Sequence, residues 1–289
     1  CLNWGCIPTK ALLGNAEIWE LIENAESIGI KIDDSSFDWT RIIANSREVA
    51  GKLSVGIDHL MKKNGVEIRK GLGRISPLGH VEVVDPNGEN MFAIHSAQII
   101  ISTCSRPRSL PGINIDGVSV LSSRHAMELM LCPASIVIVG GGAIGVEFAY
   151  FFNAFGCSVT LLESENQLLP REDPEVAKLL EELYRKKGIE IKTGVSVKEV
   201  EIIDDVPFLK YIAGEKENIL SAEKVLMAVG VEGLSDGIGL EALGVRKNRD
   251  TIQVNERQQT SVDGIWAIGD VAGAPQLAHA AVAEGIAAV

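Results

Sequence analysis

Hydrophobic and polar residues follow two different periods along this 289-residue chain, and the changes between them mark its elements. Over residues 9–28, Leu12, Leu13, Ala16, Ile18, Trp19 and Ile22 cluster on one side at helical spacing, which predicts a helix. A second long helical stretch covers 39–64 and stops at Gly65. The period then falls to two. Residues 66–69, 80–85 and 91–95 predict short strands, with Pro86-Asn87-Gly88 as a turn between the last two, and 98–102 predicts an apolar strand. Glycine and proline between 106 and 117 mark a boundary. Beyond it, strand 135–139, helix 143–155 and strand 159–163 form a β-α-β unit. Helix 174–187, strand 190–192 and a closing strand 225–229 follow. One more strand, 264–268, precedes a final helix from about Gln276. No tandem repeat or low-complexity tract interrupts this order.

A hydrophobic content of 46% can fill the cores of about two domains at this length. Five cysteines are too few for a disulfide scaffold. The formal charge of −12, with no concentrated Lys/Arg block, argues against a nucleic-acid backbone as partner. No apolar run reaches the roughly 18 residues of a membrane span, and the run around 135–139 stops at glycines. The expectation is a cytoplasmic α/β protein with neither a nucleic-acid nor a membrane partner. The chain begins at Cys1 without an initiator Met or a secretion or transit segment, so it reads as an incomplete chain.

The first candidate site lies where strand 135–139 ends. Gly140, Gly142 and Gly145 form G-x-G-x-x-G, and the helix runs on from Ile144 through Glu147. In such a loop the first glycine allows the tight turn, the second lets a pyrophosphate approach the backbone, and the third lets helix and strand pack closely. The helix N-terminus then meets the phosphates with free N–H groups and the positive end of its dipole. A second strand ending at the acidic Glu163, about 20 residues on, completes the fingerprint. Glu163 accepts from ribose hydroxyls and repels a 2′-phosphate, which favours NAD over NADP.

The second candidate site is C-L-N-W-G-C-I-P-T-K at residues 1–10. Cys1 and Cys6 read either as half of a zinc site or as a redox pair. Zinc needs about four ligands at tight spacing, and Cys104, Cys132 and Cys157 are scattered without histidines at ligand spacing, as expected of buried small hydrophobes. A loop-to-helix junction lowers thiol pKa, which suits a redox pair, and Pro8 suits a first helical turn; spacing alone leaves plain burial of the two cysteines equally open. A dithiol and a nicotinamide together call for a flavin between them. Glu147, set between Val146 and Phe148 in an apolar helix, needs solvent or a partner. Taken outside any motif, Asp270 reads as a turn or N-cap residue and Lys10 as a solvated charge.

The segment at residues 1–10 resembles the redox-active segment of the pyridine nucleotide–disulfide oxidoreductases, and Leu2, Ile7 and Thr9-Lys10 most resemble the branch that oxidises dihydrolipoamide. The resemblance covers essentially the whole chain: 99–107, the 140–147 loop, 225–230, 239–244, 264–271 (G-I-W-A-I-G-D-V) and 277–285 (L-A-H-A-A-V-A-E-G) parallel further segments of that family in order. It implies tandem Rossmann-like FAD- and NAD-binding domains of a two-dinucleotide-binding α/β flavoprotein, truncated at both ends. Residues 1–115 would be a partial FAD-binding domain, 116–231 the NAD-binding domain, and 232–289 a return to the FAD-binding and central region. Cys1 would be the interchange thiol, Cys6 the charge-transfer thiol beside the flavin, and Lys10 would sit near the flavin and pair with Glu147. Asp270, with Thr103, Gly269 and the backbone around Leu277, Ala278 and His279, would hold FAD. Gly140, Gly142, Ile144, Gly145, Glu163 and Gly230 would hold NAD, and Ser164 and Pro170 stand where NADP-using relatives carry arginines.

The implied reaction is oxidation of dihydrolipoamide, carried on lipoyl domains of 2-oxo acid dehydrogenase complexes, by a homodimer in the cytoplasm, or in the mitochondrial matrix of a eukaryote. A glutathione- or mercuric-type reductase and a non-catalytic redox module remain as alternatives. The sequence departs from the family at Ser102-Thr103-Cys104, where a cysteine replaces a glycine, and at 230–234, which reads G-V-E-G-L for G-R-x-P-N. The family's first flavin-phosphate loop and its dimerisation domain, which carries a catalytic His–Glu pair, have no counterpart here. This piece alone is therefore expected to show little dehydrogenase activity. His279 and Glu284 repeat the H-x-x-x-x-E spacing of that pair inside a flavin segment and are not assigned as catalytic. His59, His80, His95 and His125 read as surface or packing residues.

Overall fold

A computed structural model describes residues 1–289 except 78, 86 and 88–90. The chain is mixed α/β and forms two compact units, Cys1–His59 with Pro107–Gly230, and Leu60–Arg106 with Val231–Val289.

The first unit is built on a five-stranded, all-parallel sheet in the order Val120–Ser122, Lys224–Met227, Ser135–Val139, Ser158–Leu162, Glu190–Lys192. Parallel strands covered on both faces need apolar residues on both, and the two-residue period sorts them. Ile136, Ile138, Leu161, Leu226 and Leu121 join the core on one face. Val137, Val139, Leu162, Val225, Met227 and Val120 join the core on the other.

Helices cover the first face: α1 (Cys6–Glu23), α2 (Trp39–Lys63, its last turn passing into the second unit), the short α3 (Ser123–Ala126), α4 (Ala143–Ala154) and α5 (Pro174–Lys186). Helix α4 is apolar nearly all round because it is buried nearly all round. Its Phe148, Phe151 and Phe152 are fully buried, each stabilising the fold by roughly 1.5–3 kcal/mol over exposure. Trp39 of α2 stacks into this group, 5.2 Å from the Phe151 ring, and its indole N–H donates to the Leu129 carbonyl at 2.8 Å. Leu12 and Ala16 of α1 pack into the same core. Asp173 caps α5 by accepting from the Glu175 N–H at 2.8 Å, ahead of Pro174 at its first turn.

An antiparallel meander, Val195–Ile203, Val206–Ala213 and Lys216–Ser221, covers the second face through Val195, Leu209 and Tyr211. The sequence reading assigned nothing here, although V-S-V-K-E-V-E-I-I alternates. Its first hairpin turns on Asp204-Asp205, both at positive φ (49° and 64°), the geometry a two-residue loop needs.

The second unit has an antiparallel sheet, Leu72–Ser76, His80–Val84 and Met91–His95, and a parallel pair, Ile99–Ile101 with Ile265–Ala267. Its core gathers Ile75, Ile101, Ile252, Ile265, Ala267 and Val271 with Leu240 of α6 (Leu240–Leu243). Helix α7 (Ala278–Ala288) ends the chain.

Two expectations are corrected. Residues 66–69 form no strand: Val66 and Ile68 are half exposed, and among the described residues no strand pairs with them. The partner of His80–Val84 is instead Leu72–Ser76. The helix over 9–28 breaks at Asn24, whose side-chain amide donates to the Glu20 carbonyl; one 3₁₀ turn follows and Gly29 closes it at φ 86°. Of the turn at Pro86-Asn87-Gly88, Pro86 and Gly88 lie outside the described residues.

Candidate functional site

Cys1 and Cys6 form a disulfide with Cα atoms 4.5 Å apart, and both residues are exposed. Cys6 opens α1. Gly5 precedes it because the loop folds back on itself: a Cβ there would lie 3.0 Å from the Cys1 Cα. The Ile7 N–H donates to the Cys1 carbonyl at 3.1 Å, tying the start of the helix to the first cysteine. Cys6 thus stands at the positive end of the α1 dipole.

One turn along α1, Lys10 Nζ donates to Glu147 Oε1. An exposed ion pair contributes only about 0–1 kcal/mol, so its consequence is positional. It joins the helix carrying the disulfide to the helix that begins at the glycine loop. A second tether lies further along: Glu20 of α1 accepts from the Tyr150 hydroxyl at 2.9 Å and from Lys187 Nζ at 2.5 Å.

In the glycine loop, Gly140 has φ 107°, and a Cβ on it would collide with the Ala228 carbonyl. A Cβ on Gly145 would overlap the Gly140 carbonyl oxygen, so α4 can start against the strand end only with glycine at 145. Gly142 differs, since a Cβ there would meet nothing within 4 Å. It caps α4 without a side-chain hydrogen bond, and its bare backbone is the part of the loop open to a ligand. Ile144 follows in the first turn, half-buried on the core. Glu163 is only 7% exposed. Its Oε2 accepts from the Gly141 N–H at 2.6 Å, and its Oε1 accepts from the Glu165 N–H at 2.8 Å and the Ser164 hydroxyl at 3.0 Å. The acid thus stands at the loop itself. Bare backbone over an unclaimed helix start, with a carboxylate beside it, fits a dinucleotide. Gly230, exposed at φ 101°, follows strand Lys224–Met227 of the parallel sheet.

In the second unit, Asp270 lies in a 3₁₀ turn, Gly269–Ala272. Its Oδ2 accepts from the Ser105 hydroxyl at 2.5 Å. Thr103 donates its hydroxyl to the Leu234 carbonyl at 2.6 Å. Leu277, Ala278 and His279 are exposed at the start of α7, which lacks a side-chain cap. A ligand hydroxyl can pair with Asp270, and a ligand carbonyl or phosphate with the unclaimed N–H groups of α7, so the polar edge of a flavin nucleotide suits these residues.

Cys104 is corrected from a buried small hydrophobe to an exposed residue. It has the left-handed backbone (φ 72°) that glycine adopts readily, so the cysteine carries backbone strain. Cys132 is half-buried and Cys157 buried. Burial pushes the Cys132 thiol up to about 11 and raises that of Cys157 as well, so neither is a thiolate near neutral pH. Within 230–234, a Cβ on Gly233 would come 2.5 Å from the Asp250 carbonyl oxygen, so glycine fits there; nothing in the structure explains Val231 and Leu234. Among the other histidines, His125 joins the capping box of α3, and His80 and His95 face each other across neighbouring strands.

One contributor was missed by the sequence reading. Glu284 Oε2 accepts from the Gly269 N–H at 2.6 Å and so braces the turn that carries Asp270. The only signal was an acid in an otherwise apolar helix, as at Glu147. Among the described residues no group of three or more His, Cys, Asp or Glu side chains could hold a metal ion, and no helix is long and apolar enough to cross a membrane.

A family model described as pyridine nucleotide-disulphide oxidoreductase matches residues 1–285. Among curated proteins, the dihydrolipoyl dehydrogenase of Bacillus subtilis (strain 168) is 42% identical over 299 residues, covering all of this chain and 63% of that protein. That of Chlorobaculum tepidum is 40% identical over 290 residues, covering 100% and 62%. The chain thus spans about three-fifths of the length of these relatives. Among solved structures, the Cu(II) complex of the HOCl-induced flavoprotein disulfide reductase RclA from Escherichia coli superposes with a TM-score of 0.83 at 28% identity, over 98% of this chain and 60% of that one. LpdA from Mycobacterium tuberculosis shares the fold, with a TM-score of 0.91 at 23% identity over 99% and 62%.

Proposed function

The chain belongs to the pyridine nucleotide–disulphide oxidoreductase family, and from that premise we propose that it is the core of an FAD-dependent enzyme that oxidises dihydrolipoamide to lipoamide with NAD⁺. The observation that carries this reading is the Lys10–Glu147 contact, which ties the disulfide helix to the nucleotide-loop helix. Redox pair and dinucleotide loop are thereby parts of one device.

In this reading Gly140, Gly142, Ile144, Gly145, Glu163 and Gly230 hold NAD, and Thr103, Gly269, Asp270, Leu277, Ala278 and His279 hold FAD. When bound, the flavin supplies a two-electron carrier between a dithiol and a nicotinamide. The chain's own residues do the thiol chemistry. A substrate thiolate attacks Cys1 Sγ, the Cys1–Cys6 bond breaks, and Cys6 leaves as a thiolate favoured by the N-terminus of α1. The second substrate thiol then displaces Cys1, which releases the cyclic disulfide and leaves the pair reduced. The partners in this reading are lipoyl domains of 2-oxo acid dehydrogenase complexes and a second copy of the full-length protein.

The decisive experiment is a paired assay on the complete gene product: NAD⁺-linked dihydrolipoamide oxidation beside NADPH-linked glutathione disulfide reduction. Activity in the first alone is expected. Activity in the second alone would place the protein in the glutathione branch and overturn the role given to Glu163.

Glu284 provides a separate check on the flavin residues. A hydrogen bond from a backbone N–H to a carboxylate contributes about 1.5–3 kcal/mol. Glu284→Ala is therefore expected to weaken FAD retention at least about tenfold, and Glu284→Gln, which keeps an acceptor, to restore most of it. FAD release followed by fluorescence measures both; equal retention in the alanine variant and the wild type would remove Glu284 from the flavin site.

A further inference from the structure

Three side chains outside the cysteine motif hold the loop between Cys1 and Cys6. From α2, Arg47 Nη1 donates to the Asn3 carbonyl at 2.7 Å, and Ser54 Oγ donates to Asn3 Oδ1 at 2.9 Å. Seven residues apart, these two lie about two turns from each other on the same face of α2. Arg47 also stacks on Trp4, its Cζ 4.5 Å from the ring centroid, and Arg124 of α3 covers the same ring at 4.0 Å. Asn3 and Trp4 are the middle of the inter-cysteine loop, so the loop is gripped through its backbone, its amide and its indole.

The grip brings two like charges to one ring. Burial lowers the Arg47 pKa; Glu128 acts the other way, and the nearby Arg124 charge lowers it by a smaller amount. Arg47 Nε and Nη2 are buried and have no acceptor among the described residues. The guanidinium is thus poorly served by its own hydrogen bonding, and the groups it orders are Asn3 and Trp4, through one hydrogen bond and a cation–π contact.

We propose that Arg47, Ser54 and Arg124 are positioning residues for the redox pair, which keep the Asn3-Trp4 loop in place when the Cys1–Cys6 bond opens so that the two thiols remain within bonding reach. The inference rests on the reading of Cys1–Cys6 as a redox-cycling pair. With an external dithiol, one thiolate attacks Cys1 Sγ, the Cys1–Cys6 bond breaks, and Cys6 departs as a thiolate. The second thiolate of the dithiol displaces Cys1 and closes a cyclic disulfide. Two electrons pass to the protein pair, and the two protons lost by the dithiol end on the cysteine thiols or in solvent. The balance between the two forms depends on the effective concentration of one cysteine thiol at the other. A gripped loop raises it and favours the disulfide.

The test uses the complete gene product with its flavin, equilibrated without oxygen in mixtures of dithiothreitol and its cyclic disulfide. The Cys1 and Cys6 thiols are then trapped by alkylation and counted by mass spectrometry. The variants are Ser54→Ala, Arg47→Lys, which keeps the charge and loses the planar fork, and the double variant Ser54→Ala/Trp4→Leu. The double variant is expected to lower the equilibrium constant for disulfide formation about tenfold, a midpoint about 30 mV less negative. Each single variant should move it the same way by less, with the near-ultraviolet circular dichroism of a folded protein retained. Should the double variant not fold, Ser54→Ala, which removes one surface hydroxyl, still decides the matter. Midpoints equal to wild type in the folded variants would overturn the proposal. A wild-type pair that cannot be reduced and reoxidised reversibly would overturn the redox reading beneath it.

Discussion

Cys1→Ser and Cys6→Ser are each expected to abolish dithiol turnover, with kcat down by more than about 10³, or about 4 kcal/mol of barrier. A hydroxyl cannot take a thiolate's place as attacking group, attacked sulfur or leaving group in disulfide exchange. Each variant therefore lacks a whole step rather than a favourable contact. Both cysteines are exposed at the start of α1, and the core contacts of that helix come from Leu12 and Ala16, so the substitutions leave the fold unaltered. In the complete gene product, NADH-linked reduction of an artificial dye, which needs the nucleotide loop and the flavin residues only, is expected to survive in both. Dye reduction lost to the same degree as dithiol turnover would show that this division of labour is wrong.

Gly145→Ala and Gly142→Ala are expected to separate folding from binding in the nucleotide loop. At 145 the added methyl would overlap the Gly140 carbonyl oxygen, and a backbone atom cannot move aside as a side chain can. Such overpacking costs about 1–3 kcal/mol and occasionally more, enough to lower the melting temperature by roughly 2–12 °C in a chain of this size. NADH affinity falls with it, because the start of α4 must shift. At 142 the backbone is at φ −73° and the methyl meets nothing within 4 Å. Gly142→Ala therefore keeps the wild-type melting temperature, while its methyl occupies the space a pyrophosphate needs, and NADH binding is expected to fall at least about tenfold. Thermal melting and NADH fluorescence titration check both. Undiminished NADH affinity in Gly142→Ala would refute the nucleotide reading of the loop.

What the sequence by itself determined lies where one stretch of chain contains its own physical reason. Ser135–Val139 is five residues of β-branched character ended by a glycine triplet, and the structure begins and ends that strand at the same residues. Helix α4 needs only its apolar run and the glycine that lets it start. The family is legible for the same reason, since the cysteine segment, the glycine loop and the Gly269-Asp270 segment are each short, local and in order.

What only the tertiary structure decided depends on partners far along the chain. Residues 66–69 have strand composition and, among the described residues, no strand to pair with, whereas Leu72–Ser76 finds His80–Val84. The Val195–Ser221 meander has the alternation of strands, but its use as the cover for one sheet face is set by the apolar residues of Val137, Val139 and Val225 opposite it. Lys10 and Glu147 are 137 positions apart, and Glu284 reaches a backbone N–H fifteen positions away. Arg47, Ser54 and Arg124 carry no motif at all. A hydrogen bond or a stacked ring depends on distance in space, and a local pattern reports that distance only for residues within a turn or a strand of each other.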